Sequence, residues 1–177
     1  RGMTGADVAR RVLVLNGIQG VRIESTSGKL TDHYDPRTDV IRLSEGVYGS
    51  SSVAALGIAA HEAGHTCQHH LGYGAIKVRN AILPVANIGS AAAIPLVLIG
   101  IIFNFGVLIN VGIIFFAAVV VFQLVTLPVE FNASARAKKV LAADGMLSGE
   151  ELAGAKKVLN AAAMTYVASL AVSLMQL

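Results

Sequence analysis

Residues 80–129 contain no Asp, Glu, Lys or Arg, an uncharged run of 50 residues in a chain of 177. A soluble unit of this size would struggle to bury such a run, because its surface-to-volume ratio turns much of the chain toward water. A bilayer core asks for about 20 apolar residues per helix, so the run suffices for two spans and a tight turn. The best turn signal is Asn104-Phe105-Gly106, which places the spans near residues 82–103 and 107–127. A third apolar segment, residues 158–177, follows a capping-box pattern at Ser148 and Glu151. It carries Asn160, Thr165, Tyr166, Ser169, Ser173 and Gln176, so it can either cross a membrane or pack as a helix against the other two.

Composition points the same way. The chain is 54% hydrophobic and 14% charged, with a mean hydropathy of +0.64, well below the charged fraction of an ordinary soluble domain. A net charge of +3 without a long basic run gives no support for a nucleic-acid partner. Cys67 is the single cysteine, so no internal disulfide can form. Residues 1–16 lack the apolar core of a signal peptide.

The first eighty residues read as a small mixed α/β unit. Thr4 with Asp7 caps a helix in which Val8, Val12 and Leu15 recur at helical spacing up to Asn16-Gly17. Val21 and Ile23 then alternate with Arg22 and Glu24, as in a strand with one wet face. LTDHYD, the turn Pro36-Arg37-Thr38-Asp39 and VIRLS read as a β-hairpin. Ser50 to Ser52 can cap a further helix, running from Val53 to Gly72, rich in Ala and Gly and therefore expected to be buried.

That helix carries His61-Glu62-Ala63-Gly64-His65, the pattern HExxH. Helical residues four apart share a face, so both imidazoles can converge on one ion. Glu62 lies about 100° round the axis from His61, within reach of a water on that ion. Zinc with three protein ligands keeps a fourth position for water and lowers its pKa to about 7. Glu62 is then placed to act as general base. Ala63 and Gly64 are small and would leave room beside the metal.

Two histidines leave the ion one ligand short. His69, His70, His33 and a distant carboxylate are the candidates. His69 and His70 read better as a polar helix end. Glu130 is favoured, because an acidic residue at the edge of hydrocarbon is costly unless paired or metal-bound. Two crossings between His65 and Glu130 also return the chain to the side it left.

With HEAGH, LTDHYDPRTDVIRLS and LPVEFNASARA together, the chain resembles the YugP-like family of neutral zinc metallopeptidases over nearly its whole length. The resemblance implies a prokaryotic integral membrane protein of the gluzincin type, holding one zinc ion per chain through His61, His65 and Glu130, with Glu62 catalytic. It also implies a membrane segment ahead of Met3-Thr4-Gly5-Ala6 that this sequence does not include. The later segment looks like the ExxxD pattern of HtpX-type membrane proteases, whose Asp supports a zinc-bound His. Ser134 stands at that position here, offering a hydroxyl without the charge, and Asn132 competes for the role.

The expected architecture is α+β. A zincin-like part in residues 1–79 (helix, short antiparallel sheet, HExxH helix) joins a transmembrane hairpin in 80–129, a return segment in 130–157 and an apolar helix in 158–177. Lys77 and Arg79 precede the first span, and Arg136, Lys138 and Lys139 follow the second, which puts the zinc face in the cytoplasm. The expected activity is hydrolysis of polypeptide substrates, membrane or unfolded proteins, lying along the strand from Leu30 to Asp35. His33 and Tyr34 are candidate oxyanion donors. The alternative is a non-catalytic, zinc-stabilised membrane scaffold.

Overall fold

The computed structural model describes residues 2–177 and divides into two compact units. One takes the chain up to Tyr73 together with Glu130–Ala163; the other takes Gly74–Val129 with Met164–Leu177.

The first unit opens on helix α1 (Gly5–Leu15), whose capping box is closed as the sequence implies. The Asp7 N–H donates to the Thr4 hydroxyl at 3.3 Å, and the Thr4 N–H donates back to the Asp7 carboxylate at 2.9 Å. Strands β1 (Arg22–Thr26), β2 (His33–Asp35) and β3 (Val40–Ser44) form one sheet in the order β1-β3-β2. The expected hairpin is present, with Tyr34 opposite Ile41 in an antiparallel pair. The sheet as a whole is mixed, not antiparallel, because β1 runs parallel to β3 with Ile23 opposite Ile41. The physical reason lies in the connection after β1, which bypasses β3 and delivers the chain to its far edge. Asp32 fastens that connection, accepting from the Ser44 N–H at 2.8 Å and the Ser44 hydroxyl at 3.0 Å. Leu30 has φ +58 and lies outside the strand, so β2 is shorter than the Leu30–Asp35 segment expected.

A one-turn helix, α2 (Glu45–Tyr48), precedes helix α3 (Val53–His70), which Ser52 caps by accepting from the Ala55 N–H. The buried side chains of α3 are mostly Ala, Gly and Cys, so its neighbours pack closely. Val8 and Val12 of α1, Ile41 and Leu43 of β3, Leu56 of α3, and Leu141 and Leu147 make the apolar core.

The second unit holds most of α4 (Gly74–Ile102) and the first part of α5 (Gly106–Ala143). The turn falls where the sequence puts it, with Asn104 at φ +51. Gly112 lets the helices meet: a Cβ there would stand 2.8 Å from the Ala93 carbonyl oxygen, an approach typical of small residues between membrane helices. Helix α5 runs on unbroken through Pro128, past the expected span end at residue 127. Pro inside a membrane helix is tolerated where neighbouring groups satisfy the freed carbonyl. Helix α6 (Gly149–Gln176) completes the chain. Three helices, α4, α5 and α6, are long and apolar enough to cross a membrane.

Candidate metal centre

The site lies within the first unit, where α3 and the last part of α5 touch. On α5, Glu130, Ala133, Ser134, Ala137 and Leu141 are buried and recur at helical spacing, so one face turns inward. Gly64 of α3 sets the approach. A Cβ at this position would stand 2.7 Å from the Ala133 carbonyl oxygen and 3.3 Å from the carbonyl carbon, both fixed backbone atoms. Gly64 therefore serves helix packing, not space beside the ion, and Ala63 is buried in the apolar core.

Gly64→Ala is accordingly expected to force the helices apart and carry Glu130 and Ser134 away from the histidines. Overpacking of this kind costs about 1–3 kcal/mol. The accompanying loss of metal affinity is expected at roughly tenfold or more, in the range of disturbed ligand geometry. Thermal unfolding and chelator competition measure the two effects, and unchanged metal affinity would contradict this role.

At the crossing, His61, His65 and Glu130 bring one ligand atom each to within 4.8 Å of one another. His61 Nε2 is 3.1 Å from Glu130 Oε2, and His65 Nε2 is 3.6 Å from Glu130 Oε1. Ligands about 2.0–2.2 Å from a shared tetrahedral centre stand roughly 3.3 Å apart. The donor set and its spacing fit a zinc ion. His65 and Glu130 are buried, at 8% and 3% exposure, so neither is an incidental surface group.

The outward nitrogens are held as well. His61 Nδ1 lies 3.1 Å from the Ser134 hydroxyl. His65 Nδ1 lies 3.0 Å from Gln68 Oε1. Asn132 does not touch either imidazole. Its Oδ1 accepts from Gln68 Nε2 at 3.1 Å and from Arg136 Nε at 2.8 Å, so it reaches His65 only through Gln68. The polarity of this chain follows from its last member, because a guanidinium can only donate. Asn132 must then accept through Oδ1, Gln68 must donate to it through Nε2, and Gln68 Oε1 is left to accept from His65 Nδ1–H. A neutral His65 therefore carries its lone pair on Nε2, facing Glu130. Gln68 is a functional residue that sequence reasoning missed. The signal available was a glutamine three residues past His65 in an otherwise small and apolar helix.

Burial disfavours the charged imidazolium of His65, but the nearby carboxylates of Glu130 and Glu62 outweigh it and raise the pKa. The centre thus attracts positive charge. Glu62 is half-buried on α3, and among the described residues its carboxylate has no hydrogen-bond or ion-pair partner. Burial pushes the Cys67 thiol up to about 11, which keeps it neutral and inert.

Comparison with known proteins agrees with this geometry. All 177 residues match the model of the family described as "putative neutral zinc metallopeptidase". The chain belongs to this family. It is also 51% identical over 176 residues to the "putative membrane protease YugP" of Bacillus subtilis (strain 168), covering 99% of the chain and 78% of that relative. No solved structure matches. For this member of the zinc metallopeptidase family, the name implies zinc and the His61–His65–Glu130 group can hold a metal.

The structure does not bring the other sequence candidates into the His61–His65–Glu130 group. His33 is exposed, with Nδ1 2.7 Å from the Thr31 carbonyl oxygen. The Tyr34 hydroxyl donates to Asp39 at 2.8 Å, and His70 Nε2 meets the same carboxylate oxygen at 2.8 Å. Burial and that carboxylate raise the Tyr34 pKa. Of the two side chains expected as oxyanion donors, Tyr34 thus spends its proton on Asp39 and His33 holds one ring nitrogen against Thr31. The His69 ring lies 5.8 Å from that of Tyr34. Together these residues tie the β2–β3 turn to the end of α3, which accounts for the polar helix end.

Proposed function

We propose that the protein is a membrane-anchored zinc metalloendopeptidase of the gluzincin type, with one zinc ion per chain. The observation that carries it is the convergence of His61 Nε2, His65 Nε2 and the Glu130 carboxylate, with the Glu62 carboxylate uncommitted beside them. Bound there, zinc supplies the Lewis acidity that polarises a carbonyl and acidifies a water. Ser134 and Gln68 fix the two imidazoles. Glu62 takes a proton from the attacking water and returns it to the leaving amine, with no covalent intermediate. Strand β2 pairs only with β3 among the described residues, so its outer edge is open to an extended polypeptide.

The zinc-bearing face is cytoplasmic in this proposal, on the asymmetry of Lys77, Arg79, Arg136, Lys138 and Lys139 against an uncharged turn at residues 103–105. Substrates are membrane proteins or unfolded segments near the bilayer. The test uses the full chain in a zwitterionic bilayer disc. Zinc near one equivalent is expected, with cleavage of an unfolded protein that a chelator stops and added zinc alone restores. One equivalent of zinc with no cleavage of any polypeptide would leave the non-catalytic scaffold instead.

A further inference from the structure

The hydrogen-bond chain that begins at His65 ends at a cavity lined by Asn132 and Arg136. Leu15, Asn16, Asn132, Arg136, Lys139, Val140, Ala143 and Asp144 line a half-open cavity of about 570 Å³ within the first unit. Its charges are unbalanced. Asp144 is taken by Arg11, whose guanidinium meets both carboxylate oxygens at 2.7 and 3.0 Å. Among the described residues, Arg136 and Lys139 have no carboxylate partner. Arg136 spends its Nε–H on Asn132 and keeps the donors of its two terminal nitrogens. A half-buried guanidinium without a counter-charge beside an ammonium is electrostatically incomplete, and a planar fork of donors suits a phosphate oxygen pair. Asn16 donates from Nδ2 to the Val12 carbonyl and also lines the space. Leu15, Val140 and Ala143 supply apolar wall, which inorganic phosphate would not need and a small organic group would.

We propose that this cavity binds an organic phosphate, with Arg136 and Lys139 on the phosphate, and that its occupant stiffens the Arg136–Asn132–Gln68–His65 chain. The shared chemistry is an anionic phosphate ester, whether a free metabolite or the headgroup of an anionic phospholipid. The binding claim stands apart from the peptidase proposal, since it is read on the protein and not on substrate cleavage.

The experiment uses full chain in phosphatidylcholine discs. Calorimetry with glycerol 3-phosphate and with inorganic phosphate reads binding, and a chelator-buffered zinc titration reads the metal site with and without each. Discs containing phosphatidylglycerol form the lipid arm. Glycerol 3-phosphate is expected to bind more tightly than inorganic phosphate and to raise zinc affinity severalfold. Arg136→Gln and Lys139→Gln should each weaken binding tenfold or more. Lys139 is exposed and forms no bond, so its variant keeps the test open if Arg136→Gln folds poorly. Lys138→Gln removes the same charge outside the cavity, where Lys138 donates to Asn160 at 2.9 Å, and should bind as wild type does. A response confined to phosphatidylglycerol discs would assign the headgroup, and one seen in phosphatidylcholine discs with soluble ester would assign the free molecule. Absence of binding in both arms, or an equal loss in Lys138→Gln, would reduce the cluster to a diffuse positive field and overturn the proposal.

Discussion

Glu62→Gln is expected to abolish hydrolysis while leaving the zinc content unchanged. The side chain keeps its volume, and His61, His65 and Glu130 make no bond to it, so nothing in the ligand set is disturbed. What disappears is the proton acceptor. General-base catalysis typically contributes about 10²–10⁴-fold in rate, or roughly 3–5 kcal/mol of barrier. Cleavage of an unfolded protein and elemental analysis of the same sample check both halves. Equal turnover in wild type and variant would remove Glu62 from the chemistry.

Glu130→Gln should give the opposite signature, loss of zinc first and loss of activity as its consequence. The amide preserves the shape of the buried carboxylate, so the α3–α5 packing at Gly64 need not change. Its charge is gone, and with it the field that draws a cation between two imidazoles. Outer-shell partners of metal sites are worth about 10–100-fold in affinity, and a direct ligand should exceed that range. Zinc affinity is therefore expected to fall by at least about 100-fold, with an unchanged far-ultraviolet spectrum and partial recovery of cleavage at high free zinc. Retention of tight zinc would mean that the third ligand lies elsewhere, with His69 or His33 the first to test.

These two variants separate the general base from the ligand set. Glu62 and His61 are neighbours in sequence, yet one can fail without the other because α3 points them in different directions. Gly64, inside the same five residues, does neither job. It lets the backbone of α5 approach, which is why its substitution is expected to act on affinity and stability together.

Several features were legible in the residues because they rest on local physics. The Thr4–Asp7 box, the Ser52 cap and the turn at Asn104 depend on side chains within a few positions of one another. The spacing of His61 and His65 places two imidazoles on one helix face wherever that helix lies. Glu130 stood out because a carboxylate abutting 50 uncharged residues needs a partner. The parallel pairing of β1 with β3 was not legible, since strand alternation specifies faces and not neighbours. Nor was the length of α5, which runs through Pro128 past the span end expected at residue 127.

What the chain determined by itself was the inventory: a helix bearing two imidazoles and a carboxylate, apolar segments of bilayer length, and an acidic residue just beyond them. Tertiary structure decided the partnerships. Only the close crossing of α3 and α5 puts Ser134 on His61 and leaves Gln68 to orient His65, with Asn132 and Arg136 behind it. The physical reason is that hydrogen-bond polarity and metal geometry depend on distances of a few ångströms between residues 64 to 73 positions apart, which packing alone sets.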